Sequence, residues 1–200
     1  VDLLLPIGIS FYIFQAVGYI IDVYRDSVEA EKNIVNYALF VSMFTRICAG
    51  PIERAGNILP QIKRLGSKTL FDGDRVVRGL LLMGWGTVEK LVISDRIAVA
   101  VDKVFGNYTE YGLTTVVFAT VLFAFQIYCD FEGYTNIARG AAEVMGFDII
   151  TNFKQPYLAT SIVDFWNRWH ISLTGWFRDY LYIPLGGNRK GKARTIINLL

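Results

Sequence analysis

Residues 111–129, Tyr-Gly-Leu-Thr-Thr-Val-Val-Phe-Ala-Thr-Val-Leu-Phe-Ala-Phe-Gln-Ile-Tyr-Cys, run for 19 positions without a charge. A membrane-crossing helix needs about 20 mostly apolar residues, so the sequence predicts a span over Tyr111–Cys129 that stops at Asp130 and Glu132. Upstream, Val76–Val101 has a comparable apolar character, interrupted by Glu89 and Lys90 and followed by Asp95 and Arg96. Adjacent charges of that kind predict a helix buried among others, or a broken one. Leu3–Ile21 reads as a first span closed by a polar loop from Asp22 to Asn33, and Ile34–Ala49 as a second. The second carries Arg46, which must snorkel or face protein, because a charge at mid-bilayer costs at least ~2.5 kcal/mol. From Gly50 to Arg75 the chain turns polar, with Pro51, Gly56, Pro60, Gly66 and Gly73 as breakers and Arg54, Lys63, Arg64, Lys68 and Arg75 as charges. The excess of cations places this loop in the cytoplasm.

Composition agrees with lipid as the solvent: 53% of residues are apolar and the mean hydropathy is +0.37, which is high for a soluble chain of this size. Twenty basic and 18 acidic residues nearly cancel, so nothing in the charge balance points to nucleic acid. Cys48 and Cys129 stand in apolar surroundings with no metal-ligand spacing and read as buried thiols. Asp130 and Glu132 lack further His or Cys partners that would complete a metal site, so no metal is expected.

Beyond Glu132 the periodicity changes. In Ser161–Leu181 the residues Ile162, Trp166, Trp169, Leu173, Trp176 and Tyr180 recur every three or four positions, which predicts one amphipathic helix lying in or re-entering the membrane, with three tryptophans on one stripe. Ser161 and Asp164 form a capping box, and Asp164 pairs with Arg168 at i, i+4. Pro184-Leu185-Gly186-Gly187 ends the element, and the basic cluster Arg189, Lys190, Lys192 and Arg194 that follows is read as a cytoplasmic, lipid-facing anchor. The expected fold is all-α, a polytopic transmembrane helix bundle with one amphipathic or re-entrant helix.

The sole histidine, His170, falls inside that helix, where it would share a face with Trp166, Asn167, Leu173 and Thr174. A lone histidine is more often bonded to a backbone carbonyl than catalytic. Here an ionisable group at membrane depth, crowded in sequence by Asn167, Arg168, Ser172 and Arg178, makes a functional site the stronger expectation, and imidazole is well suited to take a proton from a hydroxyl near neutral pH. A second polar knot, Gln126, Tyr128, Asp130, Glu132, Tyr134, Thr135 and Asn136, reads as a helix terminus reaching the interface.

The run Asp164-Phe-Trp-Asn-Arg-Trp-His170-Ile-Ser-Leu-Thr-Gly-Trp-Phe-Arg178-Asp179-Tyr-Leu-Tyr-Ile-Pro184-Leu-Gly-Gly187-Asn188-Arg189 closely resembles the signature of the membrane-bound O-acyltransferase family, in the branch of alginate O-acetyltransferases and the D-alanine transfer protein of teichoic acid synthesis. Pro6-Ile-Gly-Ile-Ser10, Asp22-Val-Tyr24-Arg25, Ala49-Gly-Pro51-Ile, Gln126-Ile-Tyr128-Cys-Asp130-Phe-Glu-Gly133-Tyr134, Asn152-Phe and Pro156-Tyr157 extend the resemblance in order. It implies transfer of an acyl group, often acetyl, from a thioester donor, acetyl-CoA or an acyl carrier, to hydroxyls of an envelope polysaccharide such as alginate, or to a periplasmic acyl-accepting partner protein, with no bound cofactor. It also implies an inner-membrane, multi-pass protein. His170 matches the first of two family histidines and is the catalytic candidate, with Asn167, Arg168, Arg178, Asp130 and Tyr134 expected along the substrate path or behind it. The second histidine, in a Trp-His-Gly element just after the next helix, is the one the resemblance implies as catalytic base and is expected beyond Leu200, with His170 assisting or positioning the acceptor. The chain then reads as a single membrane domain, 1–200, cut at both ends and inactive alone. Two departures, Glu89-Lys90 in place of a basic pair and Glu132 in place of a small residue, bear on the subfamily. The competing reading is a transporter or structural membrane module, with intramembrane charges but no bond chemistry.

Overall fold

The computed structural model describes residues 8–47, 50–67 and 72–199, and among them every regular element is helical. In chain order the helices are α1 (Ile9–Tyr24), α2 (Ile34–Ser42), α3 (Phe44–Ile47), α4 (Ala55–Lys63), α5 (Gly73–Thr87), α6 (Asp95–Gly106), α7 (Leu113–Val144), α8 (Ile162–Arg168), α9 (Ile171–Phe177) and α10 (Lys192–Leu199). Two wide π-helical turns, Val88–Ser94 and Arg178–Tyr182, follow α5 and α9. The chain divides into two compact units, Leu70–Asp148 and the remainder on either side of it.

In the unit Leu70–Asp148, α5 starts on Asp72, whose carboxylate accepts the Arg75 N–H at 3.1 Å, and it runs antiparallel to α7. Glycines set the approach. A Cβ on Gly79 would lie 2.7 Å from the Gly140 carbonyl oxygen, and one on Gly86 would lie 2.5 Å from that of Gly133. The two contacts are a heptad apart on each helix, so backbone meets backbone where a side chain would hold the helices apart. The charges Glu89 and Lys90 do not break the element. They fall in the π turn, which carries α5 on into α6, and each finds a partner on α7 or α6: Asn136 Nδ2 donates to Glu89 at 2.8 Å, and Lys90 Nζ bridges Asp95 and Asp130, each at 2.6 Å. A π turn brings residues five apart onto one face, which lets Lys90 reach Asp95.

The expected stop of α7 at Asp130 does not occur. The helix runs on to Val144 because the facing helix supplies the polar partners that water would otherwise give: Lys90 holds Asp130, and Asn136 turns to Glu89. Cys129 is buried, as expected. Leu113–Val144 is the one helix among the described residues long and apolar enough to cross a membrane; Ile9–Tyr24 is apolar but shorter.

In the other unit, α1 opens at Gly8, in the left-handed region at φ 77°; Leu3 to Ile7 lie outside the described residues. The expected span Ile34–Ala49 is interrupted at Met43, which is extended between α2 and the single turn of α3. Cys48, Ala49 and the Arg46 side chain lie outside the described residues. The polar loop Gly50–Arg75 contains a helix, α4, that buries Ala55, Ile58, Leu59 and Ile62 despite Pro60 within it. Lys63 at its end meets Glu31 at 2.9 Å, tying α4 to the α1–α2 loop and holding the Glu31 carboxyl below the usual carboxylate range.

Candidate active site

The residues around His170 do not form the single helix expected over Ser161–Leu181. Ser161 caps α8 as predicted, accepting the Asp164 N–H at 3.1 Å, and Asp164 pairs with Arg168 at 2.8 Å. The helix then ends. Trp169 is extended and His170 is left-handed at φ 43°, so α9 begins afresh at Ile171. The physical reason is a segment elsewhere in the chain that satisfies the broken ends. Lys154 N–H donates to the Arg168 carbonyl at 3.0 Å, Ile171 N–H donates to the Asn152 carbonyl at 2.9 Å, and Ser172 N–H donates to Asn152 Oδ1 at 3.2 Å. Asn152 is wholly buried. Its side chain and main chain together replace a helical turn for the first residues of α9.

The break also separates the three tryptophans that were expected on one stripe. Trp169 packs on Phe153 and Phe165, with ring centroids 5.0 and 5.6 Å away. Trp176 is buried, edge-on to Phe14 at 4.7 Å, and donates its indole N–H to the Phe14 carbonyl at 2.9 Å. Trp166 stays half exposed. His170 therefore shares no helical face with Trp166 and Asn167; it sits at the corner between two short helices, half-buried.

Next to this corner, residues 50–54 cross α9. Ile52 N–H donates to Ser172 Oγ at 3.0 Å, and Glu53, only 3% exposed, accepts Asn57 Nδ2 at 2.8 Å and the Ile150 N–H. Arg54 lies over the Tyr180 ring, 4.3 Å from its centroid, and pairs with Asp179 Oδ2 at 3.1 Å. Arg178 Nε reaches the other oxygen of the same carboxylate at 2.9 Å. Ile52, Glu53, Arg54, Arg178 and Asp179 line a cavity of about 220 Å³ together with Trp166, Asn167 and Ser172.

Of the residues singled out from the sequence, Asn167 and Arg178 line this cavity, and His170 immediately precedes a residue that does, Ile171. Arg168 does not line it; it braces α8 through Asp164 and reaches the Lys154 carbonyl at 3.5 Å. Asp130 and Tyr134 belong to the other unit, on α7, where both attend Lys90, the tyrosine ring lying 5.4 Å from its ammonium. The sequence reading did not single out Glu53, and it noted Arg54 only as a loop charge and Asn152 and Asp179 only within the family motifs, with no role at the site. The first two directly follow Gly50-Pro51-Ile52, and a carboxylate and a guanidinium beside such an apolar stretch are the signal that was available. The cavity is walled by two guanidiniums, two carboxylates, an amide and two hydroxyls, a set rich in donors for a developing oxyanion; the imidazole of His170 is on the residue next to Ile171 and is not among its walls.

Residues 25–200 match the family model described as MBOAT, membrane-bound O-acyltransferase family. The chain belongs to this family. It is 44% identical over 198 residues to the probable alginate O-acetylase AlgI of Pseudomonas putida, covering 98% of this chain and 39% of that protein. It is 32% identical to the peptidoglycan O-acetyltransferase of Helicobacter pylori, covering 99% of this chain and 42% of the relative. With the teichoic acid D-alanyltransferase of Bacillus subtilis it shares 30% identity, over 88% of this chain and 45% of the relative. The chain thus spans about two fifths of the length of the curated relatives it matches.

Proposed function

We propose that this chain forms the acyl-handling centre of a multi-pass inner-membrane O-acyltransferase, which moves an acetyl group from a thioester donor to hydroxyls of an envelope polysaccharide of the alginate type. The observation that carries this reading is the similarity to alginate O-acetylases along 98% of the chain, which includes the corner that holds His170. In the reaction the hydroxyl oxygen attacks the thioester carbonyl, the hydroxyl proton passes to a base, the C–S bond breaks, and the thiolate leaves to be protonated. His170 is this chain's candidate for assisting that step or positioning the acceptor, with the second family histidine as the base. Asn167 and Arg178 orient the reacting groups from the cavity wall. Arg168 keeps α8 in place, and Asp130 and Tyr134 hold Lys90 in the other unit.

The same reading places α1, the α5–α6 pair and α7 in the membrane. Residues 50–75 and 189–194, with their excess of cations, face the cytoplasm, the side from which a cytoplasmic thioester is delivered. The test uses the full-length protein in cells lacking their own polysaccharide O-acetylase. With labelled acetate fed to the cells, ester label on the envelope polysaccharide is expected to depend on the gene and on His170. Polysaccharide that gains no ester when the protein is present in the membrane at normal abundance would refute the assignment.

A further inference from the structure

The two departures from the family pattern, Glu89 in what is otherwise a basic pair and Glu132 in place of a small residue, meet in space. Glu89 stands in the π turn after α5 and Glu132 on α7, close enough for the charge of one to act on the other. Both flank the seam where Gly86 meets the Gly133 carbonyl. Glu132 directly precedes Gly133, and Glu89 lies three residues beyond Gly86. The acyl-transfer chemistry above uses neither.

Their surroundings differ. Glu89, only 5% exposed, accepts Asn136 Nδ2 at 2.8 Å, and Asn136 is itself buried. Tyr128, Cys129 and Glu132 on α7 are the titratable groups within electrostatic reach of it, and none brings a positive charge. Lys90, its neighbour in the chain, is engaged by Asp95 and Asp130. Glu132 takes the Tyr128 hydroxyl and has the Arg139 guanidinium within electrostatic reach. Arg139 Nη1 also approaches Asn136 Oδ1, at 3.4 Å. Among the described residues neither carboxyl forms a direct ion pair. Two carboxyl groups thus share one guanidinium, so one negative charge has a counter-charge and a second has none. An unmatched charge buried at membrane depth is strongly unfavourable, and neighbouring carboxylates resist ionising together. A proton removes both penalties, and it belongs on the carboxyl that lacks the cation.

We propose that Glu89 and Glu132 form a site that binds one proton at membrane depth, carried on Glu89 as a neutral carboxylic acid beside an ionised Glu132. The proton lies next to a backbone-to-backbone contact of α5 and α7, and its loss sets two negative charges against each other across that contact. The inference rests on the placement of α5 and α7 in the membrane and is independent of the acyl-transfer step.

Two measurements on the full-length protein in lipid nanodiscs at neutral pH test it. In the infrared spectrum, Glu89→Gln, which keeps an acceptor for Asn136, is expected to lose a carboxylic-acid carbonyl band while the carboxylate bands stay unchanged. The second probe is dicyclohexylcarbodiimide, an apolar reagent that adds to protonated carboxyls. The acid oxygen bonds to the central carbon, the acid proton moves to a nitrogen, and the adduct rearranges to a stable N-acylurea with nothing lost. Peptide mass spectrometry of the unaltered protein is expected to find the adduct on Glu89 and not on Glu132. If Glu89→Gln loses carboxylate intensity instead and the acid band stays, Glu89 is ionised and the site is overturned; a cation supplied by the rest of the longer protein would give that result. An adduct on Glu132 alone, or none on Glu89, overturns the assignment of the proton even where the glutamine variant fails to fold. Ester formation in cells alongside an ionised Glu89 overturns the proton site only, whereas a protonated Glu89 in a protein that forms no ester refutes the acyltransferase reading and leaves the site standing.

Discussion

His170 carries a Cβ in a backbone conformation, φ 43°, that disfavours L-residues by ~1–2 kcal/mol. Asparagine tolerates that region better than most residues. In the full-length protein, His170→Asn is therefore expected to keep normal membrane abundance while lowering acyl transfer by ~10²-fold or more, as read by labelled ester on the polysaccharide. Undiminished transfer by the asparagine variant would remove the imidazole from the chemistry. Asn152 is the complementary case, a residue with no part in the reaction that shapes the corner. Asn152→Ala leaves the Ser172 N–H without its acceptor at a buried position and is expected to destabilise the protein by ~1–3 kcal/mol, seen as a lower midpoint of thermal unfolding in detergent. An unchanged midpoint would mean that the corner does not depend on this amide. The candidate histidine was legible from the sequence because it is the only one and stands among aromatic and basic residues. Its backbone setting was not, because the hydrogen bonds that break the helix come from residue 152, eighteen positions away in the chain and invisible to a helical-periodicity argument.

At the level of elements, long apolar runs announced α1 and α7, and the capping box announced α8. Two misreadings share one cause: a local signal was allowed to end or forbid a helix that tertiary contacts sustain. Asp130 and Glu132 looked like a terminus, yet Lys90 on the facing element matches Asp130. Gly56 and Pro60 looked like loop breakers, yet Ala55, Ile58, Leu59 and Ile62 recur at helical spacing and are buried. The α5–α7 contact makes a sharp prediction. Gly86→Ala places a methyl against backbone and should destabilise by ~1–3 kcal/mol, whereas Gly84→Ala points into open space and should be neutral or stabilising by up to ~1 kcal/mol. Equal effects of the two on thermal unfolding would show that the close approach does not matter. The Glu31–Lys63 bridge sets a pH dependence. Because Lys63 lowers the Glu31 pKa, its stabilising contribution is present above the ordinary carboxylate range and is lost as pH falls through the lowered value. Protease sensitivity of the α1–α2 loop should rise in that acid window, and Lys63→Met should show the raised sensitivity already at neutral pH.

Across the whole molecule, the predicted orientation puts Lys63 and Lys190 on the cytoplasmic side. Cysteines placed there in the full-length protein are expected to react with a membrane-impermeant maleimide only after the inner membrane is opened. Strong labelling from the periplasm would invert the topology. The 32 residues of α7 have a further consequence. At 1.5 Å per residue they extend for about 48 Å, against a hydrocarbon thickness of about 30 Å. The uncharged part that ends at Cys129 nearly fills that thickness, so the stretch from Asp130 to Val144, about 22 Å of rigid rod, must either stand clear of the hydrocarbon or tilt into it among other helices. On the proposed placement of α7 in the membrane, bilayer thickness becomes a variable of this protein's own mechanics: a thicker bilayer would draw the Lys90–Asp130 bridge toward the oil and a thinner one would release it into the headgroups.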